Sequence, residues 1–321
     1  MSKNFISLAA GMAIIGGVAL SDTPKVAVDI SPVHSLVSRV MLGVGTPDLI
    51  VQAGASPHGY TLRPSEAKAL QDAQMVFWMG ESLSPWMEGA LDTLSSDATI
   101  ITLLERDETI LLEFREGALF EEHDHDDHGD EKHDDHGDEK HDDHGDHGHG
   151  SYDPHAWLSP DNARIWLNLI ASQLSIVDPE NAGTYFANAA AGRLEIEALK
   201  AEVNSLLEPV RGKKFIVFHD AYQYFEEAFK ISASGAISLG DASKPSPARI
   251  AEIQGRIEEE SIDCVLSEPQ FNKGLVATVM AGSNANTNVI DPLGVGLKPG
   301  PNLYNELIRD MTKTLVDCFE S

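Results

Sequence analysis

The sequence predicts an α/β protein of two lobes joined by one long helix. Three observations carry that prediction. Short apolar, β-branched runs alternate with helical patterns along both halves of the chain, as parallel strands covered on both faces by helices require. Between the halves, residues 179–210 are rich in Ala, Leu, Glu and Lys, with neither Gly nor Pro from Arg193 to Glu208, which reads as a single helix. At roughly 1.5 Å per residue such a helix spans ~45 Å, the length of a domain pair. The chain's 321 residues are enough to bury two cores of ordinary size.

Taken in order, residues 1–21 have the pattern of a secretory signal. Lys3 supplies a positive start, residues 5–20 are apolar and rich in small residues, and a cleavage point falls near Ala19–Ser21. The run is too short for a membrane span, and no Cys follows it to carry a lipid anchor. The mature protein is therefore expected to be soluble in the periplasm and not embedded in a membrane. The first lobe, 22–178, has strand patterns at 25–30, 49–54, 75–80 and 99–104, with the clearest helices at 32–42 and 64–72. A helix follows at 159–176, apolar at helical spacing through Ile165, Leu169 and Leu174. After the linking helix, the second lobe, 211–321, has strand patterns at 215–219, 233–237, 264–267 and 288–290.

Cys264 and Cys318 are the only cysteines. An even pair in an exported chain reads as one disulfide, here pinning a final helix onto a strand. Two buried thiols are the other reading. Neither has a second Cys or a His at zinc-finger spacing, which argues against a Cys-based metal site.

The net charge is −28, a surface that repels nucleic acid and anionic lipid and draws in cations. Residues 121–150 contribute −12 of it through fourteen acids and two lysines, and they hold nine of the thirteen histidines: His123, His125, His128, His133, His136, His141, His144, His147 and His149. An eight-residue unit repeats in this segment, which has no aliphatic or aromatic residue to bury. It offers imidazoles and carboxylates, ligands that zinc accepts, and so reads as a secondary, low-affinity acceptor.

Only His34, His58, His155 and His219 lie outside that segment. His58 follows a strand, His219 ends one, and His155 precedes a helix in Asp153-Pro154-His155. Open parallel sheets bind ligands beyond the carboxyl ends of their strands, so these three are expected to meet in a cleft between the lobes. Three imidazoles suit zinc and leave a fourth position for a carboxylate or water. Asp291, again at a strand's end, is the first candidate for it. Glu268 is the second, or else it orients a ligand imidazole. His34 reads as structural or as a partner behind a ligand. Tyr60, Trp157 and Tyr222 lie two or three residues from the ligand candidates and would dry the cleft.

Five motifs bring the pattern together: Ser-Pro-His-Gly-Tyr-Thr-Leu-Arg-Pro-Ser at 56–65, Asp-Pro-His-Ala-Trp-Leu-Ser-Pro at 153–160, Phe-His-Asp-Ala-Tyr at 218–222, Glu-Pro-Gln-Phe at 268–271 and Asp-Pro-Leu-Gly at 291–294. In this set and order the chain resembles the metal-binding solute receptors of bacterial ABC importers, and among them the zinc receptors of the ZnuA type. The resemblance implies two (β/α)4-like lobes, a rigid backbone helix, and Zn2+ held between the lobes by His58, His155 and His219. It also implies a long acidic His-rich loop between the first two ligand motifs, where residues 121–150 lie. Manganese and iron members of the wider family resemble this pattern but carry Glu where His219 stands. Some zinc receptors have a Glu just before the first histidine. Here that position is Pro57, which leaves the fourth ligand open between Asp291 and water.

The expected function is zinc capture in the periplasm and delivery to the permease of an ABC importer, by a monomeric, non-enzymatic receptor. Competing readings are a manganese or iron receptor of the same family, a periplasmic zinc buffer or adhesin, and a zinc hydrolase. The hydrolase would need a general base at the metal, and no His-Glu-x-x-His helix is present to supply one.

Overall fold

The computed structural model describes residues 23–115, 120, 152–238, 245–270 and 273–321. The proposed signal segment and the His-rich segment 121–150, with all nine of its candidate ligands, lie outside the described residues.

The first lobe runs β1 (Val26–Val28), α1 (Ser31–Val40), β2 (Asp48–Leu49), α2 (Pro64–Asp72), β3 (Met75–Trp78), α3 (Pro85–Leu94) and β4 (Thr99–Thr102). Its strands pair in parallel in the order β2-β1-β3-β4. A 3-10 turn at Ala156–Leu158 leads into α4 (Pro160–Val177), and α5 (Ala182–Leu207) follows. The second lobe repeats the design with β5 (Phe215–His219), α6 (Gln223–Phe229), β6 (Ala236–Ser238), α7 (Pro247–Glu259), β7 (Cys264–Ser267), α8 (Lys273–Val279), β8 (Asn286–Val289) and α9 (Leu303–Glu320). These strands are also parallel, in the order β6-β5-β7-β8. Two four-stranded α/β lobes are thus as the sequence predicts.

Local chemistry sets the helix starts. Proline occupies the first turn of α1, α2, α3, α4 and α7, where its missing N–H costs nothing and its fixed φ suits a helix. Ser159 and Ser246 cap α4 and α7 by accepting the N–H of Asn162 and Arg249. The strands β3, β5 and β7 are buried at every position, so they read as unbroken apolar runs. β8 lies at a sheet edge and alternates half-buried with exposed residues.

The linking helix is 26 residues long, with 3-10 turns at Pro179–Asn181 and Glu208–Val210 in place of the helical ends that composition alone suggests. Tyr185, Ala189, Gly192, Ile196, Leu199, Val203 and Leu207 form its buried stripe. Gly192 permits close packing, since a Cβ there would stand 3.0 Å from Leu167 Cδ1 and 3.2 Å from Arg39 Cγ. Polar ties reach both lobes from this helix. Arg39 of α1 donates to both oxygens of Glu195 at 2.8 and 3.0 Å, and Arg309 of α9 donates to Glu202 at 2.9 Å. One apolar core runs from the first sheet through α4 and α5 to β5, β7 and α9.

Other boundaries shift slightly. The pattern at 49–54 becomes a two-residue β2, with the chain bending from Ile50 and turning at Gly54, φ +85°. The pattern at 233–237 becomes Ala236–Ser238, in register with Val217 and His219 of β5. Cys264 of β7 and Cys318 of α9 form the disulfide, with their Cα atoms 5.8 Å apart and both residues fully buried.

The strand order reverses between β1 and β3 in one sheet and between β5 and β7 in the other. Such switch points open crevices at the carboxyl ends. At the first, fully buried Asp29 accepts the N–H of Ile30 and of Met79, each at 2.7 Å, and so locks β1 to β3. Burial pushes its carboxyl up to about 7 against the opposing pull of those N–H groups. At the second switch point, His219 ends β5 and Glu268 follows β7.

Candidate metal centre

Each of the three histidines is positioned by its own local structure. His58 sits in the loop between β2 and α2. Its N–H donates to Ser56 Oγ at 3.2 Å. The preceding carbonyl, of Pro57, accepts from Ser84 Oγ at 3.1 Å and from Trp86 Nε1 at 2.7 Å, which ties the loop to the start of α3. His155 stands at the head of the 3-10 turn before α4. Its ring Nδ1 lies 2.6 Å from Asp153 Oδ1, and the same oxygen accepts its backbone N–H at 2.9 Å. His219 is the last residue of β5, and its Nδ1 lies 2.6 Å from Glu268 Oε1. His155 and His219 are buried, and His58 is half-buried.

Those contacts fix the chemistry of the rings. A carboxylate facing Nδ1 holds the proton there and leaves the Nε2 lone pair free to ligate. The Nε2 atoms of His58 and His155 are 3.4 Å apart. Two nitrogens ~2.0–2.1 Å from a tetrahedral zinc would stand about 3.3–3.4 Å apart. One ligating atom from each of His58, His155 and His219 lies within 4.8 Å of the others. The ring centroids of His155 and His219 are 5.2 Å apart. This is the one such group of three or more among the described residues.

Asp291 does not join the three imidazoles. Its carboxylate accepts the N–H groups of Leu293, Gly294 and Val295 at 3.0, 2.9 and 2.6 Å, and so caps its own turn. Glu268 lies behind His219, and its second oxygen accepts from Gln270 Nε2 at 2.8 Å. His34 is inside α1, where its ring meets the Pro47 carbonyl at 3.0 Å and Ser38 Oγ at 3.5 Å. Burial pushes its pKa down, and it stands apart from the group. Trp157 packs at a tilt against His155, ring centroids 5.2 Å apart, and donates to the Pro292 carbonyl at 2.9 Å, which joins the Asp291 turn to the site. Tyr222 packs 6.3 Å from His219, and burial, then Glu268 and Asp291, hold its hydroxyl well above the usual phenol range. Tyr60 instead packs on Trp86 and donates to Glu66 at 2.8 Å.

Sequence reasoning left Asp153 without a role, although it orients His155 as Glu268 orients His219. The available signal was an Asp two residues before a candidate ligand, with Pro154 between to bend the chain back.

Two parallel α/β lobes on a helical backbone, with three imidazoles converging from both of them, define a two-lobed solute receptor with a metal site. The chain belongs to the ZnuA family: residues 26–318 match the profile described as zinc-uptake complex component A, periplasmic. It is 44% identical to the high-affinity zinc uptake system protein ZnuA of Brucella abortus (strain 2308), over 98% of this chain and 99% of that one. To the protein of the same name from Paracoccus denitrificans (strain Pd 1222) it is 46% identical, over 97% and 96%. A crystal structure of ZnuA shares the fold with a TM-score of 0.73 at 21% identity, covering 92% of this chain and 99% of that one. The manganese complex of the solute-binding protein FpvC from Pseudomonas aeruginosa does so at 0.74 and 19%, over 93% and 99%.

Proposed function

We propose that this protein captures Zn2+ in the periplasm and hands it to the permease of an ABC importer, with His58, His155 and His219 as the ligands. The observation that carries the site is the convergence of three imidazoles, two of them buried and each backed at Nδ1 by a carboxylate. An all-nitrogen set suits zinc, whereas manganese and magnesium favour carboxylate and water oxygens. The fourth position is assigned to water, because Asp291 lies outside the group of converging ligand atoms and its carboxylate caps its own turn. A hydrolase would need a base beside that water. Glu268, the carboxylate the sequence offers for that role, spends one oxygen on His219 and the other on Gln270. Among the described residues no helix is long and apolar enough to cross a membrane, which accords with a receptor that meets its permease from outside the bilayer. The signal segment supports the periplasmic assignment.

The carboxylates behind the ligands give a direct test. Asp153→Asn and Glu268→Gln keep the shape but lose the charge that holds the Nδ1 proton, and each is expected to weaken zinc binding about 10–100-fold. Chelator competition measures this, and unchanged affinity in both variants would remove the assigned roles. The His-rich segment is expected to act as a separate, weaker acceptor that raises the local zinc concentration. Deleting residues 121–150 should lower the number of zinc ions bound per chain in calorimetry and leave one tight site. Loss of the tight site in that deletion would place the ligands in the wrong part of the chain.

A further inference from the structure

Leu112 to Arg115, which follow the first lobe's sheet, lie against Tyr152 and Asp153 through an antiparallel bridge between Glu113 and Tyr152. Asp153 N–H donates to the Leu112 carbonyl at 2.8 Å. This pair of segments docks on the second lobe at the start of α6. The Tyr224 hydroxyl accepts from Leu112 N–H at 3.0 Å and donates to the Asp153 carbonyl at 2.9 Å. At the end of the first segment, Arg115 reaches two carboxylates of the second lobe. Its Nη1 and Nη2 donate to the two oxygens of Glu226 at 2.8 and 3.0 Å. Its Nε donates to both oxygens of Asp220 at 3.1 Å, and Nη2 donates to Asp220 as well. The three side chains are only 17%, 9% and 5% exposed, and the Phe120 ring covers the guanidinium 3.6 Å from its centroid. Burial opposes the charge on Arg115, but Glu226 and Asp220 outweigh it and keep the guanidinium protonated.

Asp220 is the residue after His219. We propose that Arg115 is a positioning residue for zinc capture: by gripping Asp220 and Glu226 across the lobe boundary, it sets where His219 stands relative to His58 and His155. A planar fork that binds two carboxylates at once fixes both distance and angle, which a lysine cannot do. Ligand geometry must hold within about 0.5 Å to keep a site tight. Without Arg115, Asp220 and Glu226 would face each other as uncompensated buried charges beside the ligand. The proposal rests on the zinc site argued above.

The test uses the full chain. Arg115→Met is expected to weaken zinc binding by chelator competition about 10–100-fold, the range for partners that orient a ligand from behind. It should also shift the visible absorption of the Co2+-substituted site. Loss of one member of a buried ion group lowers stability too, so a second variant separates the effects. Arg115→Met combined with Asp220→Asn and Glu226→Gln leaves no uncompensated charge, and its thermal midpoint should recover. Its zinc affinity should stay low, because the Arg115 fork no longer ties the segment that follows His219 to the first lobe. Affinity that recovers together with the midpoint overturns the proposal, as does wild-type affinity in Arg115→Met. Should Arg115→Met not fold, the neutral triple variant carries the test alone, with the same two outcomes. His155→Ala is the control. Tight zinc retained in His155→Ala overturns the site and the latch together. Tight zinc lost there but kept in Arg115→Met overturns the latch alone.

Discussion

Replacing His155 or His219 by Ala is expected to abolish tight zinc binding, with affinity falling by more than the roughly 10–100-fold assigned to an orienting partner. Either substitution removes a donor from a set of three and also strands a buried carboxylate, Asp153 or Glu268, that had faced the lost ring. His58 is only half-buried and lies in a loop rather than on a strand or helix. His58→Ala should therefore lose zinc to a similar degree while disturbing the apo fold less. The tight three-histidine site forms only in the folded chain, so wild-type stability should rise by about 4 kcal/mol at a free zinc concentration ~1,000 times Kd. At roughly 2–4 °C per kcal/mol for a large domain, that is a shift of about 8–16 °C in Tm, and it should vanish in all three variants. Competition against a chelator and zinc-dependent thermal scans read the two effects separately. A zinc-induced shift that survives in all three would show that the metal sits elsewhere, the His-rich segment being the first place to look.

What the sequence disclosed follows from which features are local. Buried parallel strands leave a continuous apolar run, so β3, β5 and β7 stand out directly, whereas β8 carries Asn, Thr and Asn at a sheet edge and its start is displaced by two residues. That His58, His155 and His219 come together was legible because His219 ends a strand, His155 precedes a helical turn and His58 lies in the loop that follows β2, where open sheets expose their ligand-binding groups. Asp291 is ambiguous for a local reason. An Asp before Pro-Leu-Gly at a strand's end fits a metal ligand and a side chain that caps its own turn equally well, and the structure adds three backbone donors at 2.6–3.0 Å that the sequence does not disclose. Arg115 was invisible because its partners lie 105 and 111 residues away, in the other lobe. Neither periodicity nor motif spacing records a contact of that kind.

Removing the disulfide, as Cys264→Ala with Cys318→Ala, is expected to lower stability by about 4 kcal/mol, the loop-closure entropy that the chain-entropy model assigns to a 54-residue separation. Alanine is the right replacement because both positions are fully buried, and serine would add an unsatisfied hydroxyl to the loss. The effect on zinc should be much smaller, for a structural reason. Cys264 opens β7 and Glu268 follows its last residue, so the disulfide and the His219 partner lie at opposite ends of one strand. That strand stays paired to both β5 and β8 without the bond. Excess zinc should therefore restore most of what the disulfide contributed, because roughly 4 kcal/mol of binding linkage offsets a loss of the same size. Denaturant unfolding of both forms, with and without zinc, tests the argument. An unchanged midpoint in the apo variant would contradict the entropic account. A collapse of zinc affinity would show instead that the bond holds the strand end, and with it Glu268, in place.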